Sequence, residues 1–486
     1  MIKTNMINLI FTIMLGSILS CNKDNNDPII PEDFDPTKHG DYFVSPSGSD
    51  MNLGTYEKPW ATWQRAFEMA EPGDTVYFRG GVYKPSTATH GNNITMIFPD
   101  GDIGHSGVAG NPISYFCFPG EKPILDCSQV TTAGNFNTGL FLNRVNYIHF
   151  RGLTIRYVKQ KKDFVECFGI GATDVSNITY ENVTIHDVDG NAFRHGGAFG
   201  YYSEITTDTT RFINCDAYNC CDSLPRSSTG TAAVGGAADG FKTWNEPGAC
   251  FIFDGCRAFN NSDDGFDPGT DPLVIMNNCW AFNNGYLDGD GSGYKTGGML
   301  HSETVNKITR IIVNCIAAEN SGSGFFLLEY PDYYRTNARF YNNIAYANEK
   351  QGFHFSRNET HPTVLGIWRN NISFDNVGNA FDNAYQEYTE SHNNWDFVPG
   401  YPGWVYTDSV SVSNADFLSV SVSELRNATR SGDHGTLSKV NFMRLNSTSE
   451  LIGAGIDVGL SKDPDMGIDW AFLDTGEYSG NFTDIE

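Results

Sequence analysis

Four aspartates and two lysines are the side chains in this sequence whose types and spacing could support catalysis. They are Asp239, Asp263, Asp264 and Asp267, with Lys242 and Lys295. Carboxylates held close together repel one another unless a cation lies between them, and a flexible all-oxygen site suits Ca2+ better than Mg2+. No His or Cys accompanies the group, which disfavours a transition metal. The alternative is a solvated acidic surface on which Lys242, Asp267 and Lys295 form a row of ion pairs.

A repeat positions these residues. A Gly-aromatic pair recurs in Asp239-Gly240-Phe241-Lys242, Asp264-Gly265-Phe266-Asp267, Ser292-Gly293-Tyr294-Lys295, Gly324-Phe325 and Gly352-Phe353, and as Ala380-Phe381. Successive aromatics are 25 to 31 residues apart. This period predicts an all-β solenoid, whose stacked coils form parallel strands about 4.8 Å apart. If the aromatic points into the core, the next residue points outward. That outward column reads Arg194, Lys242, Asp267, Lys295, Phe326, His354 and Asp382.

The ends of a solenoid need covers, because an open sheet edge would recruit other chains. At the N-terminal end, Pro59-Trp60 is expected to open a short amphipathic helix with Trp60, Trp63, Phe67 and Ala70 on one face. The period is lost after Asn383. We therefore expect one β-helix domain over residues 41–390 and a C-terminal cover of the same domain over 391–486.

Two further columns are predicted to be structural. Asn219, Asn260, Asn283, Asn348 and Asn376 are expected to form an asparagine ladder at a turn. Cys215, Cys256, Cys279 and Cys315 are expected to be buried thiols in a column that Ile344 and Ile372 continue. A disulfide between Cys117 and Cys127 is left open.

The first forty residues are predicted to direct export. Residues 1–20 combine Lys3 with an apolar stretch from Leu9 to Leu15, which is too short for a stable membrane span. The segment ends in Ile18-Leu19-Ser20-Cys21, which resembles a bacterial lipobox and would make Cys21 the acylated residue of an outer-membrane, surface-exposed lipoprotein. Residues 21–40 would then be a tether. The alternative is an ordinary cleaved signal peptide.

Charge limits the partners. A formal net charge of −26 argues against nucleic acid, whose binding needs a basic surface. An acidic polysaccharide would also be repelled unless the site supplied its own cations. We expect the protein to contact the membrane only through the lipid anchor and to be a monomer.

Several motifs together resemble polysaccharide lyase family nine. They are the opening Tyr42-Phe43-Val44-Ser45-Pro46-Ser47-Gly48-Ser49-Asp50, then Pro59-Trp60-Ala61-Thr62, Asp239-Gly240-Phe241-Lys242, Ser262-Asp263-Asp264-Gly265-Phe266-Asp267 and Gly293-Tyr294-Lys295. The resemblance implies a right-handed parallel β-helix that binds catalytic Ca2+ through Asp239, Asp263, Asp264 and Asp267. It implies Lys295 as the base, although Ser292 replaces the asparagine usual in that family.

The resemblance further implies a pectic substrate cleaved by β-elimination. Lys295 would remove the C5 proton of a galacturonate, and the O4 substituent would leave. The substrate-binding residues are predicted to be Lys242, Arg257, Arg335 and Arg357. The backbone could be homogalacturonan or rhamnogalacturonan I, since both offer a galacturonate substituted at O4.

Two other classes of function remain open at this point. A β-helix glycoside hydrolase would use two carboxylates at a set separation. The Gly-His-Gly and Arg-Ile-Lys motifs of polygalacturonase-type enzymes are absent from the sequence. A non-catalytic surface glycan-binding protein would explain the fold and the lipid anchor, but not a lysine beside a cation site.

Overall fold

The structure is a computed structural model. The described residues are 42–131, 136–196, 209–225, 234–244, 250–269, 273–297, 308–328, 337–355, 366–383, 388–395, 410–460 and 465–470. The predicted signal segment, its Cys21, and the predicted substrate-binding residues Arg335 and Arg357 lie outside them.

Three long parallel sheets run along the described part of the chain, and each coil contributes a strand to successive sheets. Sheet I contains Tyr42–Val44, Thr75–Phe78, Ile113–Cys117, Asn146–Arg151, Ser176–Glu181, Thr209–Ile213, Cys250–Asp254, Leu273–Asn277, Ile308–Val313, Asn337–Tyr341, Gly366–Arg369 and Tyr388–Ser391. Sheet II contains Asn93–Ile97, Phe136–Asn143, Glu166–Thr173, Asn191–Gly196, Phe241–Trp244, Phe266–Pro268, Tyr294–Lys295, Phe325–Leu327, Phe353–Phe355 and Phe381–Asn383. Sheet III contains Gly81–Tyr83, Pro123–Asp126, Thr154–Arg156, Thr184–His186, Asp216–Tyr218, Arg257–Phe259, Trp280–Phe282, Ile316–Ala318, Ile344–Tyr346 and Ile372–Phe374. This confirms the predicted all-β parallel β-helix.

The predicted inward aromatic column is confirmed in sheet II. Phe241, Phe266, Tyr294, Phe325 and Phe353 are all buried. Successive rings stack with centroids 4.7 to 5.0 Å apart. This distance matches the strand spacing, so one ring per coil fills the interior and fixes the register of the neighbouring outward residues.

A short helix covers the first coil, as predicted, but it begins later. It spans Trp63–Met69, with Thr62 as its N-cap: the Thr62 side chain accepts a hydrogen bond from the Arg65 backbone. Trp60 precedes the helix and is buried with Trp63 and Phe67 in the main core. Ala70 ends the helix with an extended backbone. The other helices in the described residues are Ser423–Asn427 and three 3-10 turns, Pro99–Gly101, Cys127–Gln129 and Asn414–Asp416.

The interior asparagine ladder exists, but its predicted membership is partly wrong. The side chains that bond along the stack are the buried Asn261, Asn284, Asn320 and Asn348, followed by the partly buried Asn376. Asn219, Asn260 and Asn283 form a neighbouring column whose backbone φ is between 53° and 56°. Two asparagine columns one residue apart cannot be separated by their sequence period, although only one of them faces the interior.

The cysteine column is buried as predicted, but its continuation is wrong by one residue. Cys215, Cys256, Cys279 and Cys315 are all fully buried. Asn343, not Ile344, follows Cys315 in the column, because the Asn343 side chain accepts a hydrogen bond from the Cys315 backbone N–H. Ile344 pairs instead with Ile316.

No disulfide forms among the described cysteines. The thiols of Cys117 and Cys127, whose pairing was left open, are both free and buried. Every other cysteine in this part of the chain is free as well.

The C-terminal segment lies along the side of the coil stack. Phe417, Leu425, Phe442 and other apolar residues of 410–470 pack on the outer face of sheet III. A two-stranded antiparallel ribbon, Arg430–Ser431 with Thr436–Leu437, belongs to this segment. The coils themselves continue through Tyr388–Ser391, slightly past the expected boundary. No helix in the described residues has the length and hydropathy needed to cross a bilayer.

Candidate active site

The aspartates and lysines meet on the outer surface of sheet II. Parallel pairing aligns Arg194 with Lys242, Lys242 with Asp267, and Lys295 with Phe326. Tyr294 pairs with Phe266, so Lys295 follows Asp267 in the same column. The predicted outward column is therefore confirmed. Consecutive members lie one strand apart, about 4.8 Å.

Asp239 and Asp264 form a second column, three residues before the first. The backbone N–H of Asp264 donates to Oδ1 of Asp239 (3.1 Å), and that of Ser292 donates to Oδ1 of Asp264 (2.6 Å). The Asp239 N–H donates in turn to the Asn191 side chain (3.1 Å). One oxygen of each carboxylate is thus fixed by the neighbouring coil, and the other is left for the site.

The remaining oxygens form a compact cluster with both lysines. One carboxylate oxygen from each of Asp239, Asp264 and Asp267 lies within 4.8 Å of the others. Lys242 Nζ lies 2.8 Å from Asp239 Oδ2 and 2.5 Å from Asp267 Oδ2. Lys295 Nζ lies 3.1 Å from Asp264 Oδ2. The three carboxylates are largely buried, and we call them the carboxylate cluster.

Burial and, second to it, the attraction of the lysines dominate the electrostatics of the cluster. Burial raises the pKa of Asp239, and it raises that of Asp264 to about 7; the nearby lysines offset this only in part. Burial would also raise the pKa of Asp267, but Lys242 and Lys295 outweigh it and lower this pKa. The pKa values of both lysines are raised because the carboxylates outweigh their desolvation.

Asp263, the fourth predicted metal ligand, does not join the cluster. Its Oδ1 accepts the backbone N–H of Asp290 at 2.8 Å, so it holds the loop that precedes Lys295. Burial, followed by the charges of Asp264 and Asp239, raises the pKa of the Asp263 carboxyl well above its usual range.

Two residues at this site were not assigned a role from the sequence. Asp290 forms an ion pair with Lys295 at 2.8 Å, and it is largely exposed. The acidic run Asp288-Gly289-Asp290-Gly291 just before the Lys295 motif was the available signal. The other residue is Asn191, whose side chain accepts a hydrogen bond from the backbone N–H of Asp239. Nothing in the sequence around Asn191 indicates that contact.

Arg257 lies elsewhere, which contradicts its predicted role in substrate binding. It is buried on the outer face of sheet III and pairs with Asp216 at 2.6 Å. Its guanidinium also donates to the carbonyls of Leu425 and Ala428 in the C-terminal segment. Arg430 pairs with the same Asp216 at 2.8 Å. Arg257 therefore anchors the C-terminal segment, a role that depends on residues far away in sequence.

The sequence and the fold were compared with those of known proteins, and both have clear matches. The sequence profile of the family described as "Pel9A-like, right handed beta helix region" matches residues 42–394. The chain belongs to this family. The match confirms the resemblance to polysaccharide lyase family nine and the right-handed coil, and the protein is a polysaccharide lyase.

Individual relatives cover most of the chain. Pectate lyase PEL9 of Emericella nidulans is 28% identical over 86% of this chain and 95% of its own length. Among solved structures, a rhamnogalacturonan lyase superposes with a TM-score of 0.66 at 26% identity, covering 84% of this chain and 96% of its own. Pectate lyase Pel9A shares the fold, with a TM-score of 0.61 at 23% identity over 88% of this chain and 95% of its own.

Proposed function

We propose that this protein is a calcium-dependent lyase of pectic polysaccharides that cleaves the O4 linkage of galacturonate by β-elimination. The observation that carries the proposal is that Asp264 belongs to the carboxylate cluster and also pairs with Lys295. A cation site and a basic side chain therefore share one buried group. The relatives named as pectate and rhamnogalacturonan lyases support a pectic substrate.

The donor set fits a hard divalent cation. Asp239, Asp264 and Asp267 offer carboxylate oxygens only, and these three carboxylates outnumber the two lysines that pair with them. Oxygen ligands of this kind are those that Ca2+ takes in proteins. We assign these three residues as its ligands, and Asp263 to the support of the adjoining loop. When bound, Ca2+ would supply a Lewis acid that stabilises the negative charge developing on the substrate carboxylate.

The protein's own residues provide the base and hold it in position. Lys295 acts as the neutral amine, so its paired ammonium must first lose a proton to solvent. Its Nζ then takes the C5 proton of the bound galacturonate and the C5 electron pair forms the C4–C5 double bond. The O4 substituent leaves with the bond electrons and takes up a proton from water. Asp290 and Asp264 orient the Lys295 side chain through its two ion pairs. The products are a 4,5-unsaturated uronate end and a new end on the released sugar.

Lys242 is the rival for the base. Its ammonium lies between Asp239 and Asp267, with both ion pairs inside the carboxylate cluster. Lys295 has one partner in the cluster, Asp264, and one outside it, the exposed Asp290. That position supports Lys295 as the group that meets a polymer, and Lys242 as a group that holds the carboxylates or a substrate carboxylate.

The test compares two lysine variants in the presence of Ca2+. Lys295→Ala should lose several orders of magnitude in kcat with little change in Ca2+ affinity, because only a transition-state role is removed. Lys242→Ala should mainly raise KM. Product formation is followed by the absorbance of the unsaturated end on pectic polymers, and calcium binding by calorimetry. An inactive Lys242→Ala beside an active Lys295→Ala would assign the base to Lys242.

Chelation separates the three classes of function. EDTA should abolish the unsaturated product, and added Ca2+ should restore it; Asp264→Ala should be inactive while the coils stay folded. A glycoside hydrolase would keep cleaving in EDTA without this absorbance, and a glycan-binding protein would give no cleavage at all.

We also propose that the protein is exported and acylated at Cys21. The support is the sequence pattern of residues 1–21 alone. Metabolic labelling with a fatty acid should mark the wild-type chain and not Cys21→Ser. Labelling of both chains, or of neither, would contradict the assignment.

A further inference from the structure

The outward column of sheet II changes from charged to aromatic residues immediately after Lys295. The next two residues in its column are aromatic: Phe326 pairs with Lys295, and His354 pairs with Phe326. Their rings stack with centroids 4.7 Å apart and an interplanar angle of 7°. Both are half-buried, so part of each ring faces outward. We call this pair the aromatic platform.

The platform is held rigidly. Phe325 and Leu327 flank Phe326, and Phe353 and Phe355 flank His354; all four are buried in the interior of the coils. Alternation along each strand therefore fixes the two outward rings. Such a surface loses little conformational entropy when a ligand settles on it.

The second column, which begins with Asp239 and Asp264, has no ionisable side chain over the coils of the platform. Asp239 and Asp264 are followed there by Ser292, whose backbone N–H binds Asp264, and then by Ser323 and Gln351. The Ser323 hydroxyl lies 3.1 Å from the Gln351 amide oxygen. The charged site is thus bordered on one side by a strip with an aromatic surface and a neutral polar edge.

We propose that the aromatic platform is a subsite for an uncharged 6-deoxyhexose, so that the substrate is a backbone alternating deoxyhexose and galacturonate, as in rhamnogalacturonan I. This inference rests on the proposed lyase function. A methyl-bearing sugar face buries apolar surface on an aromatic ring. A uronate there would bring its carboxylate against Phe326, which cannot compensate for the lost hydration.

The conclusion does not depend on the direction in which the polymer lies. In an alternating backbone both neighbours of the cleaved galacturonate are deoxyhexoses, whereas in homogalacturonan both are uronates. Lys295 and Phe326 are adjacent strands, about 4.8 Å apart. We place the polymer along the stack of coils, so that the sugar next to the cleaved residue on that side lies over the platform.

The test measures KM and kcat on purified rhamnogalacturonan I and on homogalacturonan, with Ca2+ present. The wild type should prefer rhamnogalacturonan I. Phe326→Ala should raise KM on that polymer about tenfold with a smaller change in kcat, the equivalent of losing one aromatic contact. Phe326→Tyr should retain the preference. Phe141→Ala is the matched control, because Phe141 is a half-buried phenylalanine in the same outward column five strands from Lys295.

A binding measurement separates this inference from the proposed chemistry. In a Lys295→Ala background, calorimetry with rhamnogalacturonan oligosaccharides should show weaker binding when Phe326→Ala is added and no change when Phe141→Ala is added. A preference for homogalacturonan, or equal losses on both polymers, would overturn the subsite while leaving the lyase proposal intact. If neither polymer gave an unsaturated product, the lyase proposal would be wrong, and the subsite proposal with it.

Discussion

Replacing Asn261 by alanine should destabilise the coil that carries the aspartate segment. Asn261 is fully buried and immediately precedes Ser262, Asp263 and Asp264. Its side chain connects three coils through the interior ladder. Loss of this side chain should therefore destabilise the turn that leads into the aspartate segment of the site.

The contacts give the size of the effect. The Asn261 amide donates to the Ala217 carbonyl and to the Asn284 side chain, both at 3.1 Å, and its Oδ1 accepts the Cys220 N–H at 3.2 Å. Asn284 keeps a second partner, the backbone N–H of Asn261. The Cys220 N–H and the Ala217 carbonyl then lose a buried partner, at about 1–3 kcal/mol each. We expect the variant to lose roughly 2–5 kcal/mol of unfolding free energy.

Asn260→Gly provides the matched control one residue away. Asn260 has a φ of 54°, which glycine adopts without strain, and its side chain makes only an exposed contact with Asn219 at 3.3 Å. Urea unfolding should show a change within about 1 kcal/mol for this control. Hydrogen exchange at the Cys220 amide should accelerate in Asn261→Ala alone, which locates the loss. Equal destabilisation of the two variants would refute the reasoning.

Two other predictions concern the contacts of the C-terminal segment. Asp216→Ala should lower the unfolding free energy by roughly 3–5 kcal/mol, since it leaves the two arginines that anchor this segment buried without their carboxylate; an unchanged urea midpoint would count against it. For Glu181, desolvation is outweighed by hydrogen bonds with His149 and with His434 of the segment, which lower its pKa from 4.5 to about 2. This carboxylate stabilises the fold above pH 4.5, and its contribution, up to about 3 kcal/mol, is lost as the pH falls toward 2. Glu181→Gln should flatten the stability curve over that range, and parallel curves for the two proteins would contradict the assignment.

Local pattern determined the coil and the outward column. The Gly-aromatic pairs fixed one inward residue per coil, because a ring at each repeat must stack on the next to fill a narrow interior. Once Phe241, Phe266 and Tyr294 point inward, strand alternation alone brings Lys242, Asp267 and Lys295 into one column. The same reasoning aligned Asp239 with Asp264. These assignments needed no information beyond the period and the chemistry of the repeated residues.

Register within the turns and contacts between distant segments were decided only by the tertiary structure. The asparagine ladder and the continuation of the cysteine column were each misassigned by one residue, since a sequence period does not show which of two adjacent positions faces inward. Arg257 was misassigned because its partners in the C-terminal segment lie more than 160 residues away. Asp263 lies outside the cluster, and its carboxylate accepts the backbone N–H of Asp290, in a loop of the next coil. Stacking makes neighbours of residues one period apart, which a sequence shows directly; the side of the coil that a chain segment finally covers depends on packing across the whole molecule.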